Sequence, residues 1–351
     1  MIKGNGRWVA GAAAALVIGL AGGAAVAQTA AQVHAFAASV LSNVYCTQYD
    51  YEQNAGKGAS GVPVAFTQPG HISTHAYTDC SGFVDFTVSN ALAGKVPAAP
   101  QSYPNCPPTT ADLTSLQNSL PALPGTQLYT AVTGYWKNSG RFAYDVQNYA
   151  WPRAATWTYL FNDIQAGNAA AAGVAPYVTP VTDFRNLGAG DVLAWCYGLY
   201  CSQPGEDHKG DTGHVVIIDA APVTSTSAST TGPSCGTLPA APSGAAAVIG
   251  VPVIDSSIVP HFPYTVNGAP AYKAGRGISA NSASGVGSGC LAFALNAQGA
   301  PLGLAFCTPG STGCPQTEAW IPSYGIGSGD ITTITGNTNF ITAGHLTGVA
   351  K

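Results

Sequence analysis

Charge is what this sequence has least of. Only 8% of its 351 residues are charged, about a third of the share in ordinary globular chains, and Lys and Arg cluster nowhere. A surface that grips phosphates needs such a cluster, so the chain argues against nucleic acid as a partner. Beyond residue 27 no apolar run is long enough to cross a bilayer. No CxxC pair and no local His/Cys cluster has the spacing of a zinc site, so neither a metal nor a cofactor is expected. The glycine-rich stretch 285–289 precedes no helix, which excludes a phosphate loop and predicts a tight turn. Nothing repeats internally.

Small and apolar residues fill the gap. A hydrophobic content of 46% suffices for a sizeable core. Residues 1–27 read as a secretory signal: Lys3 and Arg7 supply the basic start, 9–22 the apolar stretch, and Ala25-Val26-Ala27 the small-residue cleavage site. Removing Lys3 and Arg7 from the 12 basic residues leaves 10 against 16 acidic ones, a net charge of −6. The mature protein is expected outside the cytoplasm, secreted or periplasmic, with no membrane span left after cleavage. Nine cysteines in such a chain predict disulfides, and the odd number leaves one over. Cys196 with Cys201 and Cys307 with Cys314 are close enough for local bridges, and Cys46, Cys106, Cys235 and Cys290 can form two more. Cys80 then stands outside the pairing scheme.

The residue pattern predicts a lead-in helix over 28–45, a loop-like stretch over 47–75, and aromatic-rich helices and loops over 135–164. A turn at 187–191 leads into a strand at 192–195, and further strands are expected at 213–219, 247–255, 292–295 and 331–341. The Ser/Thr/Pro/Gly/Ala stretch 221–246 reads as a flexible excursion. Val251, Val253 and Asp255 fall on one face of their strand, so a lone carboxylate ends an apolar row, while Pro252 suits an edge or a bulge. Helices followed by strands make the class α+β.

The stretch Thr78-Asp79-Cys80-Ser81-Gly82-Phe83 organises the rest. Thr78 and Asp79 are N-cap types, Phe83, Val84, Val88, Ala91 and Leu92 recur at helical spacing, and Gly94 and Pro97 end the pattern. A cysteine in that first turn faces unpaired backbone N–H groups and the positive end of the helix dipole, which favours thiolate. Gly82 leaves room for a neighbouring segment. His214, 134 residues after Cys80, then opens one strand, and Asp255, 41 residues after His214, ends the next. A cysteine hydrolase requires this set: a thiol, an imidazole to move its proton, and a third polar group to fix the imidazole. Asp255 fits the third role by order, and His261 is its rival. The polar loop around His208 reads as solvated.

Asp79-Cys80-Ser81-Gly82-Phe83-Val84, Gly190-Asp191-Val192 and Gly213-His214-Val215 together resemble the NlpC-type cell-wall cysteine peptidases. The resemblance covers about residues 46–260, discontinuously. It implies a papain-like fold in which the nucleophile helix packs on an antiparallel sheet. It also implies one domain over 28–351 with insertions at about 97–186 and 221–246. By it, Cys80 is the nucleophile, His214 the general base, and the substrate an amide bond of a peptidoglycan stem peptide or related cell-envelope peptide. A disulfide-clipped envelope-binding protein without turnover, or an acyltransferase using the same thioester chemistry, are the alternatives.

If eight cysteines pair, alkylation without reductant followed by intact-mass measurement gives one adduct, or none if Cys80 is buried. Three or more adducts contradict the pairing scheme.

Overall fold

The computed structural model describes residues 29–42, 46–48, 71–73, 75–94, 98–101, 125–149, 151–197, 213–224, 231–257, 261–271, 285–305, 320–324 and 339–347. The expected signal peptide, the His208 loop, and Cys106, Cys201, Cys307 and Cys314 lie outside them.

Runs such as Val215-Val216-Ile217-Ile218 carry branched side chains that suit a pleated surface buried on both faces. They build one eight-stranded sheet. In chain order its strands are β1 (Val178–Pro180), β2 (Val192–Tyr197), β3 (His214–Ile218), β4 (Ala247–Ser257), β5 (Gly285–Leu295), β6 (Pro301–Ala305), β7 (Ile321–Tyr324) and β8 (Asn339–Leu346). The spatial order is β7-β6-β5-β4-β3-β2-β8-β1, with β7 also paired to β8. The sheet therefore closes on itself, antiparallel throughout except at the parallel β7–β8 seam.

Alternation along each strand sorts side chains to two faces. Leu193, Trp195, Val216, Ile218, Val251, Val253, Leu291, Phe293 and Ile341 form the inner core. Val192, Ala194, Val215, Ile217, Ile254 and Phe340 form the outer face, and helices cover it. Helix α1 (29–42) approaches so closely that a Cβ on Gly190, at φ +89°, would sit 1.8 Å from the Ala30 carbonyl oxygen. Helix α2 (Cys80–Leu92) lies on β3 and β4. Helices α3 (Gln127–Asn138) and α4 (Ala143–Asn148) lead to α5 (Ala154–Gln165), which packs on β1, β2 and β8. The aromatic-rich stretch is thus core: Trp136, Trp151 and Trp157 are all buried.

Within and beside the eight-stranded sheet three expectations change. Residues 285–289 are not a turn but the first half of β5, paired residue by residue with β4. Pro252 is not at an edge: β4 is central, and the missing N–H falls where β3 ends, with the Pro252 carbonyl still accepting from Asp219 N at 2.9 Å. The second half of the 221–246 excursion is anchored, with Leu238 buried and Cys235 bridged to Cys290 on β5. Cys196 is also disulfide-bonded, while Cys80 remains a thiol.

Gly213 has φ +130°, and a Cβ there would lie 1.9 Å from the Trp195 carbonyl oxygen. Gly213→Ala is expected to cost at least about 3 kcal/mol, because strain and backbone collision add. At Gly94, φ +67° with nothing within 4 Å, alanine should cost only about 1–2 kcal/mol. Denaturant midpoints of the two variants check the order.

Candidate active site

Asp79 turns the chain into α2. Its backbone is extended, at φ −79° and ψ −178°, and its Oδ1 accepts from Gly82 N at 2.6 Å and from Ser81 Oγ at 3.1 Å. The capping carboxylate thus satisfies a donor that the helix cannot. A Cβ on Gly82 would meet Thr78 Oγ1 at 2.7 Å and the Trp151 ring at 3.0 Å, so the room left by this glycine is taken by Trp151 and the cap itself. Cys80, the first helical residue, is 5% exposed.

His214 enters β3 immediately after Gly213. By alternation it shares the inner face with Val216, opposite Trp195 on β2, and the two rings lie 5.1 Å apart. Asp255 is fully buried on β4. His214 Nε2 bonds Asp255 Oδ2 at 2.5 Å, and His261 Nε2 bonds the same oxygen at 3.0 Å. A carboxylate can only accept, so both rings present Nε2 as N–H, and Nδ1 of His214 is the nitrogen left to take a proton. His261 is held beside β5 by the paired backbone bonds of Phe262 and Cys290, at 3.0 and 2.8 Å. A Cβ on Gly289 would stand 2.4 Å from His261 Cβ, so the glycine-rich start of β5 makes room for this ring.

The start of α2 and this group occupy the same end of the sheet. The β3–β4 ladder stops at Ile217↔Ile254, short of His214. Beside that parting, Ser256 Oγ donates to the Thr78 carbonyl at 2.6 Å, tying the residue after Asp255 to the segment before Cys80. Burial raises the Asp79 carboxyl above its usual range, opposed by the Gly82 N–H, Arg153, Ser81 and the charge of His214.

Of the sequence-predicted residues, the structure joins His214, Asp255 and His261 by direct hydrogen bonds and sets Cys80 in the first turn of α2. Asp255 and His261, which the sequence offered as rivals, are bonded to each other. Gly190 and Asp191 do local work instead. Gly190 N donates to the Ile218 carbonyl, and Asp191 accepts from Gly188 N at 2.7 Å and from His345 Nδ1 at 2.6 Å. Trp195 and Arg153 carried no sequence signal.

No known protein family, characterised protein or solved structure matches this chain. The resemblance to NlpC-type peptidases therefore rests on the quoted motifs alone.

Because burial raises the folded-state value for Asp79, the native chain keeps a proton that the unfolded chain releases above the ordinary carboxylate range. Stability from this residue is full below that range and is lost as pH rises through the raised value. Asp79→Asn keeps an acceptor for Gly82 N–H without titrating. The stability difference, variant minus wild type, should therefore grow in the variant's favour as pH rises above the ordinary carboxylate range. Parallel urea melts across pH test the sign, and a flat or falling difference contradicts it.

Proposed function

We propose that this protein is an exported cysteine hydrolase of papain-like type that cleaves an amide bond in peptidoglycan stem peptides or related cell-envelope peptides. The observation that carries the reading is the buried His214–Asp255 hydrogen bond. It lies at the sheet end where α2 begins with Cys80. The substrate class comes from the motif resemblance. Among the described residues no helix is long and apolar enough to cross a membrane.

In this reading Nδ1 of His214 takes the Cys80 thiol proton, and the thiolate sulfur attacks the amide carbonyl carbon. The C–N bond breaks as the imidazolium returns the proton to the leaving amine, giving a thioester. Water then attacks the thioester with His214 again accepting the proton, and the thiol is regenerated. Asp255 holds the ring and favours its charged form, as a buried carboxylate does for a base. His261, bonded to the same Oδ2, steadies that carboxylate.

Digestion of purified cell wall, followed by mass analysis of the fragments, tests the reading. Wild type should release stem-peptide fragments and Cys80→Ser none, with both folded by circular dichroism. His214→Ala should lose about 10²–10⁴ in rate. Asp255→Asn should lose less than His214→Ala, and His261→Ala less again, because the latter leaves the His214–Asp255 bond in place. Turnover persisting in Cys80→Ser at a near wild-type rate overturns the mechanism. The order His261→Ala worse than Asp255→Asn would make His261 the third member instead.

A further inference from the structure

We propose that His214, Asp255 and His261 also form a binding site for a zinc-class divalent cation, whose occupancy switches the thiol chemistry off; the second half rests on the hydrolase reading, the first does not. One nitrogen from each ring and one carboxylate oxygen lie within 4.8 Å of one another, and all three residues are buried. Two ligand atoms on a tetrahedral zinc ion, each about 2.0–2.1 Å from the metal, sit about 3.3 Å apart. The two His–Asp separations are 2.5 and 3.0 Å, so each has to open by less than about 1 Å to admit a zinc ion. Two imidazoles with one carboxylate suit zinc, cobalt or nickel and not the hard cations calcium and magnesium, which prefer oxygen cages.

The surroundings hold the ligands as a metal centre requires. Trp195 packs on the His214 ring. Gly289 admits His261, and the Phe262–Cys290 bridge fixes its backbone next to the Cys235–Cys290 disulfide. Such support orients ligands before the ion arrives. An acid–base chain needs only one group to orient His214, and Asp255 fills that role. A second histidine on the same oxygen steadies that carboxylate and also completes a three-ligand set.

Binding has a defined proton balance. Each ligating ring must offer a lone pair where the carboxylate now meets an N–H, so that proton moves to the other ring nitrogen or is released to solvent. With its lone pair on the ion and its other nitrogen protonated, His214 can no longer accept the Cys80 proton.

The test uses the mature chain with Cys80→Ala, so that the thiol cannot itself capture zinc. Titration of Zn²⁺ against a chromophoric chelator should show one equivalent bound with micromolar or tighter affinity. His261→Gln and His214→Gln, each in that background and each checked for a native melt, should weaken binding at least tenfold. No binding by 100 µM zinc, or binding unchanged in both variants, overturns the site; the latter would place the ion elsewhere on the chain. With Cys80 restored, zinc should inhibit cell-wall digestion with a midpoint matching the measured affinity. Full activity at saturating zinc would overturn the switch while leaving the site. Inactivity without zinc would count against the hydrolase reading, with the chelator titration still deciding the site.

Discussion

The fully buried carboxylate of Asp255 is the constraint around which this end of the molecule is arranged. A lone ionised group at zero exposure would cost several kcal/mol. It is tolerable here because two imidazole N–H groups converge on one of its oxygens. Meeting that need requires three segments to arrive together: the entry of β3 for His214, the far half of β4 for Asp255 itself, and the segment beside β5 for His261. Two of these arrivals need a glycine. Gly213 lets β3 start against the Trp195 carbonyl, and Gly289 gives His261 a place over β5. Gly289 looks like a turn residue in sequence because the demand on it, a side chain from another segment crossing the strand, leaves no local trace.

Much of the fold was legible because it follows local rules. The N-cap at Asp79, the helix stop at Gly94, the lead-in helix and the strands opening at Val192 and His214 all appear where cap residues, apolar period and turn residues put them. The row Val251, Val253, Asp255 does share an inward face, two of its members in the inner core. What failed was what depends on neighbours. Pro252 reads as an edge residue until the premature end of β3 is known. The Ser/Thr/Pro/Gly/Ala stretch reads as loose until Cys235 is seen bridged across 55 residues to Cys290.

The hydrogen-bonded group His214, Asp255 and His261 was legible in its members and not in its wiring. Residue type and order selected Cys80, His214, Asp255 and His261. They could not reveal that the last two are partners, since sequence offers one third position and two residues of the right chemistry. The same blindness hid a metal-competent cluster. A search for zinc spacing looks for ligands a few residues apart, whereas 41 residues separate His214 from Asp255, and only the β3–β4 pairing brings them together.

The closed sheet also determines where thiol and imidazole stand relative to each other. Helix α2 covers the outer face, while His214 and Asp255 belong by alternation to the inner one. In a continuous ladder the wall itself would separate them. The ladder between β3 and β4 is not continuous: its last pair toward that end is Ile217↔Ile254. There Ser256 spends its hydroxyl on the Thr78 carbonyl, pinning the start of α2 at the parting. Ser256 faces outward with Ile254, and Asp255, its neighbour in sequence, faces inward. The strand alternation that would divide the two halves of the site thus holds both of them within one residue of each other on β4. Anything that extended the β3–β4 pairing toward His214 would close the wall between them, so the shortness of that ladder is itself part of the site.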